Sequence, residues 1–92
     1  MAVQLSVSFE IISSNAMNKK ALEKTLREIG LELRRLRMKK GFSTIKEFAT
    51  KYRLPAIQYW RIENGRANVT IKSLGRILTI HKKSIEDFFR AF

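Results

Sequence analysis

The order of residues predicts an all-α fold of five helices behind a short N-terminal β-strand-like arm. Three observations carry this. From Asn18 onward apolar residues recur at helical spacing in five stretches. Each stretch opens on a capping residue or a proline: Asn18, Thr44, Pro55, Thr70 and Ser84. The one period-2 pattern is confined to the arm, where Val3, Leu5, Val7, Phe9 and Ile11 alternate with Gln4, Ser6, Ser8 and Glu10.

A chain of 92 residues, 45% of them hydrophobic, suits a single small helical core and leaves no room for a large enzyme cleft. The absence of cysteine removes disulfides and thiolate metal sites and fits a reducing, cytoplasmic setting. Nineteen Lys and Arg against eight Asp and Glu give a formal net charge of +11. Such a chain attracts polyanions, nucleic acid first and an anionic membrane surface second.

Residues 1–17 read as an extension and residues 18–92 as one folded unit. The extension is either an arm that pairs between two copies as an antiparallel ribbon or a poorly ordered tail. Serines and Glu10 interrupt its apolar run and no basic residue precedes Lys19, which argues against a secretory signal, and the run is too short to cross a bilayer.

In the first helix Leu22, Leu26, Ile29, Leu33 and Leu36 form one stripe. Asn18 is its expected N-cap, and Gly41 is placed to end it in a left-handed conformation. Gly30 inside it marks a break or a close packing contact. Leu22 and Leu26 exceed what a small core needs and suit a partner subunit. Arg34, Arg35, Arg37, Lys39 and Lys40 crowd its end, where cations suit the helix dipole and equally a phosphate backbone.

Thr44 and Glu47 have capping-box spacing, so a second helix starts at about Ile45 with Ile45, Phe48, Ala49 and Tyr52 inward. Arg53, Leu54 and Pro55 form the turn. In the third helix Tyr59 and Ile62 face inward, which turns Ile57, Trp60 and Arg61 outward with Ala56 and Gln58 on the flanks. That outward cluster makes a poor solvent face and a plausible contact surface. Thr70 caps a fourth helix whose buried side is Ile71, Leu74, Ile77 and Leu78. Ser84 and Asp87 open a fifth, packing Ile85, Phe88 and Phe89. The sole histidine, His81, reads as a surface residue among lysines. With no metal-ligand spacing, phosphate loop or nucleophile elbow, neither an enzyme nor a metal or cofactor is expected.

Between about Ile29 and Phe89 the chain resembles the Cro/phage-repressor type of helix-turn-helix domain, the XRE family. The resemblance rests on Leu33-Arg34-x-Leu36-Arg37 before Gly41, Ser43 ahead of the second helix, and Phe48-Ala49. It continues through Leu54, Tyr59, Ile62-Glu63-Asn64-Gly65 with a basic residue next, and the closing run from Ser84 to Phe89. It implies a five-helix phage-repressor-like domain whose third helix, residues 56–63, enters the major groove of double-stranded DNA while the second crosses the backbone. It further implies a transcriptional regulator acting as a homodimer on a near-palindromic site, with Arg37 paired to Glu63.

On that reading Ala56, Ile57, Gln58, Trp60 and Arg61 contact bases, and Ser43, Thr44, Arg53 and Arg66 contact phosphates. Two departures stand out. Arg53 occupies a turn position where the family usually has glycine, so the turn is expected to differ locally. One extra residue between Ser43 and Ala49 leaves both Ser43 and Thr44 as phosphate candidates. The dimer elements are the arm, Leu22 with Leu26, or the last helix through Phe88, Phe89 and Phe92. The competing reading is an antitoxin-like interaction module with a toxin as protein partner and autoregulatory DNA binding. A membrane-surface helix at residues 19–40 is disfavoured by Glu23, Glu28 and Glu32 on its polar face.

Overall fold

Side-chain caps and left-handed residues divide this chain into its helices. The computed structural model describes residues 15–92. They form α1 (Asn15–Lys39), α2 (Ile45–Tyr52), α3 (Ala56–Glu63), α4 (Ile71–Ile80) and α5 (Ile85–Phe89), with no strand among the described residues. The proposed strand at residues 3–12 lies outside them.

Three of the helices start on a hydroxyl that accepts from the backbone N–H three residues on. Thr44 accepts from Glu47 at 3.1 Å, Thr70 from Ser73 at 3.0 Å and Ser84 from Asp87 at 3.0 Å. Each bond satisfies one of the N–H groups that a helix start leaves without a partner. Four helix ends share one pattern of paired backbone bonds, a Schellman motif around a left-handed residue. At the end of α1 Phe42 N–H reaches Arg37 O and Gly41 N–H reaches Met38 O. After α2 the pair is Leu54 to Ala49 and Arg53 to Thr50; after α3, Arg66 to Arg61 and Gly65 to Ile62; after α4, Lys83 to Leu78 and Lys82 to Thr79. The left-handed residues are Gly41, Arg53, Gly65 and Lys82, with φ of 104°, 56°, 68° and 56°.

Ile29, Leu33 and Leu36 of α1 form the core with Phe48, Tyr59, Ile62, Leu74, Ile77, Leu78 and Phe88. The closest approach is at Gly30. A Cβ there would run into the Glu63 carbonyl oxygen and lie 2.8 Å from the Ile62 carbonyl oxygen. A backbone neighbour cannot rotate aside, so only glycine lets the end of α3 seat on α1. Gly65 repeats the device one turn away, since its missing Cβ would lie 2.9 Å from the Arg27 Cα.

Seated there is a buried ion pair. Arg37 donates from Nε and Nη2 to the two Glu63 carboxylate oxygens at 2.8 and 2.9 Å, and from Nη1 to the Phe42 carbonyl at 2.8 Å. The two side chains are 6% and 3% exposed. Tyr59 lies beside them with its hydroxyl buried and no hydrogen bond closed. Burial, reinforced by the adjacent Glu63 carboxylate, pushes the Tyr59 phenol far above its usual pKa, so it stays neutral.

Four expectations are corrected. α1 begins at Asn15, so Asn18 lies inside the helix instead of capping it. Residues 15–17, assigned above to the extension, are therefore helical. Ile71 is 65% exposed: helical side chains lean toward the N-terminus, so one in the first turn of α4 points past the helix end and off the core. Arg53 itself adopts the left-handed conformation, so the turn keeps the geometry that glycine would give it. His81 is half-buried, not an open surface residue. Its ring stacks on Phe48 at 5.6 Å and 9°, and its Nε2 is buried without a partner. Burial first, then the charges of Lys40 and Lys83, hold its pKa below the usual value.

Two measurements check this account. Glu63→Gln and Arg37→Met should each cost about 3–5 kcal/mol in denaturant unfolding by stranding the other partner. The double variant should cost less than the sum by about 1 kcal/mol or more, and simple additivity would mean the two groups are uncoupled. The second concerns acid. Because the folded pKa of His81 is depressed, the unfolded chain takes up a proton more readily, and stability falls as the pH drops below about 6.5. His81→Phe preserves the stacking and should flatten the stability curve between about pH 7 and pH 5; an unchanged slope would assign the acid sensitivity elsewhere.

Candidate nucleic-acid interface

Helix α3 buries Tyr59, Ile62 and Glu63 and exposes the rest of its length. Ile57 is 74% and Trp60 43% exposed, and Ala56, Gln58 and Arg61 are exposed with them. All five proposed base-contacting residues therefore reach solvent from one short helix. Ile57, Trp60 and Arg61 stand at i, i+3 and i+4 and form the outer ridge. Gln58 sits to one side, lining a shallow cleft of about 70 Å³ with Pro55, Ser73 and Arg76.

Both ends of α3 are fixed. Pro55 precedes it with φ of −64°, a value its ring imposes and one that suits a helix start. At the other end Asn64 donates from Nδ2 to the Trp60 carbonyl at 2.9 Å, and the Arg66 guanidinium lies 5.6 Å over the Trp60 ring. That cation–π contact contributes about 0.5–1 kcal/mol at an exposed site. It presents Trp60 and Arg66, proposed for base and phosphate contact respectively, as one joined surface.

The phosphate candidates divide. Thr44 is the N-cap of α2, and its hydroxyl also donates to Glu47 Oε1 at 3.0 Å. Ser43 stands one residue outside the helix and is exposed. The α2 start thus carries its own carboxylate, which competes with any incoming anion for the Thr44 hydroxyl. Arg53 is exposed at the turn, and Arg76 of α4 reaches back toward its carbonyl at a long 3.5 Å. Arg76 was not anticipated from sequence, because its nearness to the turn comes from packing between elements far apart in the chain. Arg37 and Glu63 stand together as the buried pair described above.

No group of three or more His, Cys, Asp or Glu among the described residues is arranged to hold a metal ion. No described helix is long and apolar enough to cross a membrane. No protein-family model, curated protein or solved structure matches the chain.

Arg53 offers a direct check on the turn. A left-handed non-glycine residue carries a strain of about 1–2 kcal/mol. Glycine removes it but adds about 0.5–1 kcal/mol of unfolded-chain entropy. Arg53→Gly should therefore stabilise the fold by up to about 1 kcal/mol, whereas Arg53→Ala should give no gain. Thermal unfolding of both variants decides it; a destabilised glycine variant would mean the arginine side chain supports the fold.

Proposed function

We propose that this chain is a sequence-specific double-stranded DNA-binding protein of the Cro/phage-repressor type, acting as a transcriptional regulator. In this reading α2, the Arg53 turn and α3 form the helix-turn-helix, and α3 enters the major groove. The observation that carries the proposal is the outer ridge of α3. A helix anchored at both ends turns Ile57, Trp60 and Arg61 into solvent together. Such a ridge adds nothing to the core and suits the edges of base pairs.

Arg61 provides the fork that pairs with guanine O6 and N7, and Ala56 and Ile57 provide apolar contact for a thymine methyl. Trp60, with a single donor and a stacked Arg66, fits sugar and backbone better than a base edge. Arg53 adds to the argument. A left-handed arginine is a costly substitute for glycine, and a backbone outlier of this kind suggests a use for the side chain, here a phosphate contact at the turn. The net charge of +11 supports polyanion binding in general.

Homodimerisation is part of the proposal, since two half-sites about 34 Å apart supply specificity that one short helix cannot. The experiment is in vitro selection of bound DNA at defined salt. Enrichment of a near-palindrome is expected, and Arg61→Ala should relax one position in each half-site by about 1–3 kcal/mol while leaving the fold intact. Failure to enrich any sequence would overturn the proposal in favour of a protein-interaction module.

A further inference from the structure

From Arg27 to its end, α1 contains more cations than the core requires, and the partners of its arginines separate them into two classes. Arg35 is bound to Glu32 through two contacts of 2.9 and 2.6 Å. Arg37 donates from each of its three guanidinium nitrogens, to Glu63 and to Phe42. Arg27 and Arg34 form no ion pair or side-chain hydrogen bond with any described residue, and both are exposed. They are seven residues apart, two turns on one face, or about 10 Å along the axis.

That face borders an open cleft of about 360 Å³ whose walls include Arg27, Arg34, Leu31, Ile45 and Asn64, with the Arg37–Glu63 pair also lining it. The carboxylate in this cleft is already neutralised. Glu63 gives both oxygens to Arg37, so it leaves the charge of Arg27 and Arg34 uncompensated. Ile45 is the first residue of α2 and Asn64 the C-cap of α3, so the cleft opens between the start of one element and the end of the other. The adjacent α2 N-terminus is less suited to an anion, because Glu47 already occupies its Thr44 hydroxyl.

We infer that Arg27 and Arg34 form a phosphate-binding site on α1, outside the helix-turn-helix, that holds the nucleic-acid backbone beside the recognition helix. The inference rests on the DNA-binding reading above and extends it to a helix with no part in base contact. Guanidinium forks suit phosphate oxygens bidentately, and the two residues suit two positions along one strand. The site positions the protein on the duplex and carries no sequence information.

The test measures binding of the full chain to a selected duplex and to unrelated duplexes between about 50 and 200 mM salt. Arg27→Gln/Arg34→Gln keeps the stem that packs on Gly65 and removes both charges. Its salt slope should fall by about 1.8, at about 0.9 per phosphate contact, with equal weakening on every sequence. Arg27→Lys/Arg34→Lys should restore most of the slope. Arg35→Gln, which removes one cation away from the cleft, should leave it within about half a unit. Equal melting temperatures would establish that all the variants fold. An unchanged slope in the double glutamine variant would overturn the site while leaving the DNA-binding reading in place. Wild-type protein that binds no duplex at all would overturn both. Inorganic phosphate that shifts the Arg27 and Arg34 side-chain NMR signals, together with an unchanged slope, would assign the cleft to free phosphate and likewise overturn the backbone contact.

Discussion

The rest of this structure depends on the contact between the end of α3 and the middle of α1. Its polar half is the Arg37–Glu63 pair, and its steric half is the absence of a side chain at Gly30 and Gly65. A buried pair of this kind adds little net stability over apolar groups of similar volume. It does fix direction. The guanidinium reaches both Glu63 oxygens and the Phe42 carbonyl at once. A sliding or rotation of α3 on α1 would break both bonds to Glu63 and bring backbone against backbone at Gly30. The loop after α1, the axis of α3 and the register between the two helices are thus set by one cluster.

Helix termination is the second constraint, and it is solved in two chemically different ways. Gly41 and Gly65 adopt the left-handed conformation without a Cβ penalty, and Gly65 must be glycine twice over because Arg27 of α1 lies against it. Arg53 and Lys82 adopt nearly the same backbone with a side chain attached, and the cost falls on the fold. Both of these residues are exposed cations. Among these turns tight packing demands glycine only at Gly65; at Gly41 a Cβ would meet open space, and there glycine only relieves the backbone strain that Arg53 and Lys82 accept.

How much of this was legible in the sequence follows from how local each feature is. The caps at Thr44, Thr70 and Ser84 and the core stripe from Ile29 to Leu36 depend on residues three or four apart, so spacing alone located them. The outward ridge of α3 followed from Tyr59 and Ile62 for the same reason. Features built across elements were not legible in that way. Arg37 and Glu63 are 26 positions apart, beyond the reach of any helical periodicity; the pairing came from the family resemblance alone. His81 looked exposed because lysines flank it in sequence, yet Phe48 of α2 covers its ring. The arginine-lined cleft draws on α1, α2 and α3, and the sequence offers no hint of it beyond the interval of seven between Arg27 and Arg34.

Helix α3 is only eight residues long, well below the length at which an isolated helix persists in water. Its helicity is imposed from outside, by Pro55 before it, by the Gly65 turn after it, and by Tyr59, Ile62 and Glu63 beneath it. The outward residues therefore carry little of the folding free energy. Ile57, Gln58 and Arg61 can change without loosening the platform, because all three are exposed and none belongs to the core. Trp60 is the exception: its carbonyl accepts from Asn64 and its ring lies under Arg66, so it is tied into the turn that closes the helix. A rigid base with a replaceable outer face is what a recognition surface requires physically, since what is contacted can then vary independently of whether the domain folds.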